Sequence, residues 1–251
     1  MLLYGRRIVL RNCGRFLHVA SDYGSMYTTH AHVSSEMLYV GLSRERTRLA
    51  HDFTSLAKRY DFFEDFDLAR WPVWFTPATL INHDGQFVAK SRTFADVHQF
   101  NSMQEGTPGI QDNDKLPKFG SMETILPDKR FACIAVSSHI DLLAGIEPGQ
   151  VYWMGKKRTM FEIMVAGDIT ALEQQDGACQ TPFLQVGPRD ASHFTRLHVL
   201  ATTQRYILLS GLTKASSYWR LPAQDDQGHA YGIPQFALDN ILTQFQREAR
   251  A

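Results

Sequence analysis

Cysteine is scarce in this 251-residue sequence, and its three copies lie far apart. Cys13, Cys133 and Cys179 are odd in number and form no Cys-x-x-Cys pair. This usage argues against a disulfide framework and against a structural zinc site. A reducing cytoplasm is the compartment that it fits best.

Net charge and long apolar runs are also missing. Lys plus Arg and Asp plus Glu each number 26, so the formal net charge is zero. This balance argues against a polyanion binder that uses its whole surface, but it allows a local basic groove. No apolar run is long enough to span a bilayer, and the N-terminus lacks the apolar region and cleavage site of a signal peptide. We therefore expect neither membrane insertion nor secretion.

Familiar catalytic motifs are absent as well. The sequence has no Walker loop, no dinucleotide fingerprint after a strand and no Gly-x-Ser-x-Gly elbow, so no cofactor is predicted. His30 and His32 offer two imidazoles, but only Glu36 lies near them as a further ligand. Because a zinc site needs three or four ligands, we predict no metal site here.

The hydrophobic content of 44% supplies a core, and strand patterns dominate it. Ser34 or Ser35 can cap a first helix, residues 43–70 read as helical, and Asn82 to Gly85 marks a β-hairpin turn. The four tryptophans are predicted to anchor the core or an interface: Trp71, Trp74, Trp153 and Trp219. Strands are predicted at 2–11 with an extension at 16–20, and at 73–81, 131–136, 151–154, 159–165, 193–200 and 205–209, with a short helix at 140–143 and a C-terminal helix at about 233–247.

A cationic loop lies between two of these strands. Gly155 is followed by Lys156, Lys157 and Arg158. Lysine supplies point charges, arginine a bidentate fork, and glycine a close backbone approach, so the loop suits phosphate. A solvated turn is the alternative interpretation. On the first strand, Arg7 and Arg11 are expected on the wetter face.

The segment 90–130 is poor in apolar residues and interrupted by Pro and Gly. A segment this long without its own packing is usually functional or disordered, so we expect an arm or a long hairpin that orders against a partner. Its candidate contacts to such a partner are Lys90, Arg92, Lys115, Lys118 and Phe119.

A polar loop at 21–32 leads into the first helix, whose free amides could bind an anion. Tyr23, Ser25, Tyr27 and Thr28 could donate to phosphate or stack on a base. The two tyrosines could equally cover the sheet.

Several of these features, in order, resemble the Cas-five-type RAMP subunit of CRISPR surveillance complexes, which caps the five-prime handle of the guide RNA, and in particular its type I-D version. The matching features are the first strand, the loop from Tyr23 to Thr29 entering the helix at 35–42, the Leu-Pro-Lys-Phe-Gly segment at 116–120, and Gly155 to Arg158. The resemblance covers residue 1 to about 165.

The resemblance implies an α+β protein with a ferredoxin-like (RRM-related) core, an antiparallel sheet and an inserted β-hairpin thumb within 76–130, all in a single domain over 1–251. It implies a non-catalytic RNA-binding and assembly subunit that holds the guide-RNA handle in antiviral DNA interference. The implied partners are guide RNA, backbone RAMP subunits and the large subunit, and target DNA is a further candidate.

Two other functions stay open. One relative, the type I-C version, cleaves precursor RNA without metal, and His30 and His32 beside Tyr27 could supply such chemistry. The other alternative is an unrelated α+β enzyme with its site at the Gly24 loop.

Overall fold

The structure is a computed structural model that describes residues 2–17, 19–22, 26–47, 71–85, 87, 95–103, 117–154, 159–202, 206–214, 216–224 and 230–238. Its α-helices are α1 (Ser35–Thr47) and α2 (Ile140–Ala144). Its strands are β1 (Leu3–Asn12), β2 (Val19–Asp22), β3 (Met26–Thr29), β4 (His32–Val33), β5 (Val73–Phe75), β6 (Ala78–Ile81), β7 (Ala95–Met103), β8 (Pro117–Ile125), β9 (Arg130–Ser137), β10 (Val151–Met154), β11 (Thr159–Gly177), β12 (Leu184–Val186), β13 (Phe194–Thr202), β14 (Ile207–Thr213), β15 (Ser216–Gln224) and β16 (Ala230–Pro234).

The central sheet has a ferredoxin-like arrangement. Four of its strands stand in the order β11-β1-β9-β6, and each neighbouring pair is antiparallel. In chain order, α1 lies between β1 and β6, and α2 lies between β9 and β11. This is the β-α-β-β-α-β pattern of the ferredoxin-like fold. The predicted α+β class with an antiparallel ferredoxin-like sheet is confirmed.

Alternation along β1 explains its central place. Ile8 and Leu10 are fully buried on the face that the helices cover, whereas Arg7 on the opposite, outer face is exposed. The same side of β9 and β11 contributes Phe131 and Phe161, whose rings meet edge to face at 5.7 Å. Phe16 packs edge to face on both. A strand with this period can pair on both edges while it separates an apolar face from a polar one.

The C-terminal half covers one end of the outer face. A second apolar cluster joins Leu3 and Val136 of the central sheet to Leu184, Leu209 and Trp219. β12, β14 and β13 form a separate sheet, and β11 extends the central sheet by pairing with β15. The outer face is therefore packed by the C-terminal half near Leu3. Toward its other end, eight residues along β1, Val9 is still buried, whereas Arg11 is half-buried and Val165, opposite Val9, is exposed.

A long hairpin leaves the core within the range where the sequence predicts an arm. β7 and β8 pair from Ala95 opposite Ile125 to Met103 opposite Pro117. Its base is fixed because Phe16 bridges to Ile125, and the Arg15 Nη1 lies 3.1 Å from Asp96 Oδ2. β8 also pairs in parallel with β3, which makes a four-stranded sheet.

Several local predictions are corrected. The loop predicted at 21–32 contains β3, the start of β4 and the end of β2, because residues such as Tyr27, Thr28 and Thr29 suit strands. The strand predicted at 73–81 divides into β5 and β6 at Pro77, which has no amide to give to a ladder. β11 runs past residue 165 to Gly177.

Three further local predictions concern the start of α1, the C-terminal helix and the turn after β6. Ser34 caps α1, since the Met37 amide donates to its Oγ at 3.2 Å. The predicted C-terminal helix begins later than 233, because Ile233 and Pro234 lie in β16 and helix starts at 235. The predicted helical residues 48–70 and 239–247 lie outside the described residues. The predicted turn at Asn82 to Gly85 is confirmed, with φ of +79° at Gly85.

Among the helices that the structure describes, none is long and apolar enough to cross a membrane.

Buried Asn12 ties β1 to the turn before β9. Its Nδ2 donates to the carbonyls of Gly14 and Leu126 at 2.8 Å each, and its Oδ1 accepts from the Lys129 amide at 2.8 Å. We expect Asn12→Ala to lower the free energy of unfolding by about 3 kcal/mol, because buried partners lose their hydrogen bonds. Urea unfolding measures this, with Asp84→Ala in the exposed turn as the control. An equal loss in both variants would contradict the assignment.

Candidate nucleic-acid interface

Four residues form a row across the uncovered end of the outer face. Val151, Glu162, Arg11 and Arg130 stand opposite one another on β10, β11, β1 and β9. With strands about 4.8 Å apart, the row spans roughly 14 Å. We call these four residues the outer-face row. Such a row has the width needed to contact two or three nucleotides of a single strand.

Trp153 stands next to this row with an exposed ring. Its side chain is 59% exposed, whereas Tyr152 and Met154 on either side are buried in the core. Trp153 therefore does not lie in the core, and the alternative that it anchors an interface stays a prediction, whereas Trp71, Trp74 and Trp219 are buried. The signal was present in the sequence, because a two-residue alternation that buries Tyr152 and Met154 must turn Trp153 outward.

Helix α1 holds β10 in place. A side-chain carbon at Gly41 would come within 2.6 Å of Met154 Cγ, so a larger residue there would have to displace the Met154 side chain. The buried side of β10 is fixed by this contact, and Trp153 is consequently presented on a rigid edge.

The charges in the row are unevenly balanced. Arg11 pairs with Glu162 and lies 3.7 Å from Asp128, and its hydrogen bond to Glu162 raises the pKa of the guanidinium. Arg130, directly opposite Arg11, has no ion pair among the described residues. Like charges opposite one another are unfavourable. An anion bound beside Arg130 would relieve this repulsion.

Arg7 lies on the same face, four residues or about 13 Å along the strand from Arg11. It is exposed, and its Nη2 is 3.4 Å from the carbonyl of Gly85. Both arginines are thus on the outer face, as the sequence predicts, but Arg7 stands toward the end that the C-terminal half covers.

The predicted basic loop connects β10 to β11. Met154 and Thr159 are paired, and Thr159 Oγ1 donates to the Arg15 carbonyl at 2.6 Å, next to the base of the long hairpin. The strands that flank the loop are therefore fixed to the row and to the hairpin base. Lys156, Lys157 and Arg158 themselves lie outside the described residues.

Other predicted contacts are distributed between described and undescribed parts of the chain. Tyr27 and Thr28 lie in β3, half-buried, beside β8. Lys118 and Phe119 lie in β8, opposite Ser102 and Asn101 of β7. The remaining predicted contacts lie outside the described residues: Tyr23, Ser25, Lys90, Arg92 and Lys115.

The start of α1 is occupied by protein groups. The Ser35 amide donates to Gln185 Oε1 at 2.7 Å, and the Glu36 carboxylate accepts from Gln185 Nε2 at 3.1 Å. Together with the Ser34 cap, these contacts satisfy two first-turn amides and place a carboxylate beside them. The helix end is therefore a poor anion site, contrary to the sequence prediction.

The histidine pair is largely inaccessible. His32 is fully buried with its Nε2 3.2 Å from the Tyr206 hydroxyl, and the His30 ring lies 4.9 Å from it. Burial and the nearby Glu36 charge raise the pKa of Tyr206, which keeps this phenol protonated. Among the described residues no group of three His, Cys, Asp or Glu side chains could hold a metal ion.

The three cysteines differ in burial and should therefore react with a thiol reagent at different rates. Cys13, whose amide donates to the Met160 carbonyl, is half-buried, whereas Cys133 and Cys179 are buried. Burial raises the pKa of Cys133 to about 12, so almost none of it is thiolate at pH 8. We expect iodoacetamide at pH 8 to alkylate Cys13 first and the other two only after unfolding, as mapped by mass spectrometry. Labelling of Cys133 as fast as Cys13 would contradict this.

Comparisons with known proteins find distant structural similarity and no sequence match. No protein-family model matches the sequence, and no curated protein matches it. A chain of the type III-B Cmr-beta complex bound to cognate target RNA aligns at TM-score 0.41 and 14% identity over 67% of this protein and 61% of that chain. A chain of the same complex with cognate target RNA and AMPPnP aligns at TM-score 0.40 and 9% identity over 95% and 89%. This protein thus spans about three fifths of the first chain, and function has to be argued from its own residues.

Proposed function

We propose that this protein is a non-catalytic RNA-binding and assembly subunit of a CRISPR ribonucleoprotein complex, and that it holds single-stranded guide RNA. The observation that carries the proposal is the exposed Trp153 on β10, next to Val151 at one end of the outer-face row that also contains Arg11 and Arg130. RRM-type sheets bind single-stranded RNA by stacking bases on aromatic residues, while cations contact phosphates.

The chemistry of this surface supports a single strand over a duplex. Trp153 can stack one splayed base, and Arg11 and Arg130, two and three strands away from β10, can contact phosphates farther along the same nucleic-acid strand. Lys156, Lys157 and Arg158 follow Trp153 within five residues of sequence. The formal net charge is zero, so binding would depend on this local group of cations.

The type I-D assignment and the five-prime handle rest on the sequence motifs. In this proposal the basic loop and the outer-face row hold the handle, and the β7-β8 hairpin acts as the thumb that packs on a backbone subunit. The body of the protein would contact the large subunit. Guide pairing would supply target specificity, and this subunit would contribute shape and charge.

The first test is RNA binding across a salt series, with a labelled repeat-derived RNA and the putative backbone subunit present or absent. We expect Trp153→Ala to weaken binding by about 1–3 kcal/mol through the loss of one stacked base.

We expect Lys156→Ala/Lys157→Ala/Arg158→Ala to reduce the slope of log K against log salt by about 2, since each phosphate contact on a single strand contributes about 0.7.

The matched control removes three cations from another surface, with Arg189→Ala/Arg196→Ala/Lys214→Ala. This variant should bind RNA as the wild type does. The proposed function would be overturned if the wild-type protein bound no RNA both with and without the backbone subunit. Equal weakening of RNA binding by both triple variants would show that only the total charge matters.

The non-catalytic part of the proposal has its own test. A metal-free ribonuclease needs a base at the ribose 2′-hydroxyl; the buried His32 does not offer one, whereas the half-buried His30 is the histidine that the test addresses. We expect repeat RNA to stay intact when incubated with the protein in chelator, as followed on denaturing gels. Cleavage that disappears in His30→Ala or His32→Ala would instead identify a ribonuclease.

A further inference from the structure

Strand β13 is a long sheet edge with exposed apolar side chains. It is the last strand in the order β12-β14-β13 and pairs from Phe194 opposite Thr213 to Thr202 opposite Ile207. Among the described residues it pairs with β14 alone. We propose that this edge binds an extended, acidic segment of a partner protein, which adds to the sheet as a further strand. The proposal is independent of the RNA-binding function.

The side chains of β13 leave the edge accessible. Residues 195–199 are all exposed, and Leu197 and Val199 are each 48% exposed. Val199 stands opposite Leu209, which is fully buried in the second apolar cluster. Leu197 and Val199 therefore lie on the same face of the β12-β14-β13 sheet as the buried Leu209 and extend its apolar surface to the β13 edge. An added strand could extend that core with its own apolar residues.

Protection of this sheet edge comes from two register shifts and from Arg196, and it leaves residues 196–199 regular. Exposed edges are normally blunted by lysine, proline, bulges or short length. β13 has nine residues and no lysine or proline, and its two register shifts lie near its ends, between Phe194 and Arg196 and between Val199 and Ala201. The middle of the strand, residues 196–199, is regular. Backbone groups on its outer side can therefore pair with an incoming strand.

The charge around the edge selects the partner. Arg189, Arg196 and Lys214 lie on or beside β13, and Asp190 is the one acidic residue among 187–202 and 214, so the formal charge there is +2 (three minus one). A segment that alternates apolar and acidic residues would match both the apolar pair and the cations.

Neighbouring rings hold the strand in its conformation. The His193 ring stacks on Phe236 at 4.7 Å, and Phe194 meets the same ring edge to face at 5.9 Å. Farther along, His198 contacts Phe87 at 5.4 Å and Phe183 at 5.5 Å. A strand fixed at both positions loses little conformational freedom when a partner binds, which favours association.

The test uses a fluorescein-labelled nine-residue peptide that alternates valine and glutamate, titrated into the full chain and followed by anisotropy and by amide hydrogen exchange. We expect saturable binding with slower exchange at residues 195–199. Leu197→Glu/Val199→Glu should weaken binding at least tenfold, because it removes the apolar pair and repels the peptide. Ile140→Glu, which changes an exposed apolar residue of α2, should bind as the wild type does.

Two control peptides separate pairing from simple attraction. A peptide with proline at every valine position keeps the negative charge but cannot form the ladder, and a valine-lysine peptide keeps the ladder but reverses the charge. Both should bind at least tenfold more weakly. The proposal would be overturned if the valine-glutamate peptide did not bind. It would also be overturned if the proline peptide bound as tightly as the valine-glutamate peptide, or if Leu197→Glu/Val199→Glu bound the valine-glutamate peptide as tightly as the wild type does. Concentration-dependent dimers abolished by that variant would assign the edge to a second copy and would also overturn it.

RNA binding gives a separate readout for the same variants. Leu197→Glu/Val199→Glu should retain the RNA affinity and salt dependence of the wild type. The edge proposal and the RNA proposal can therefore fail independently.

Discussion

Strand β1 is the constraint on which the rest of the structure depends. It pairs with β11 on one edge and β9 on the other, so every one of its side chains must point to the helix-covered core or to the outer face. The core side is filled by Ile8, Leu10 and Asn12, and Arg6 turns the same way to donate to the carbonyls of Leu143 and Ile146 after α2. A slip of one residue would bury arginines and expose leucine.

The same alternation divides the outer face into two parts with different roles. Near Leu3, small and apolar residues accept the packing of the C-terminal half, and Leu172 lies directly over Gly5. Toward Arg11 the residues become cationic, and the C-terminal half does not cover them among the described residues. A ferredoxin-like sheet can thus carry a structural interface at one end and a binding surface at the other.

Charge in this protein is local. The totals cancel over the whole chain, yet Arg11 and Arg130 stand directly opposite each other, and cations gather again along β13. The two surfaces differ in kind: the outer-face row and the neighbouring Trp153 combine charged side chains with an exposed aromatic ring, whereas β13 combines an edge backbone with exposed apolar side chains. By contrast, the start of α1 is closed by Gln185 and Glu36, which shows how tertiary contacts can occupy a helix end that looks open in sequence.

The sequence by itself determined the elements with strong local signals. Alternation placed β1, β9 and β10, Ser34 marked the start of α1, and Gly85 marked a turn that needs positive φ. Motif order pointed to the α+β ferredoxin-like class. The outward direction of Trp153 was also implicit in its alternation with Tyr152 and Met154, although tryptophan composition suggested burial.

Only the tertiary structure decided which strands became neighbours and which polar groups were already satisfied. Arg11 and Arg130 are 119 residues apart in sequence and meet because β1 pairs with β9. The partners of Ser35 and His32 come from positions 185 and 206, which no local pattern can reveal. The long reach of β11 and the free edge of β13 follow likewise from pairing between distant segments, because hydrogen-bond ladders depend on the neighbour and not on the strand alone.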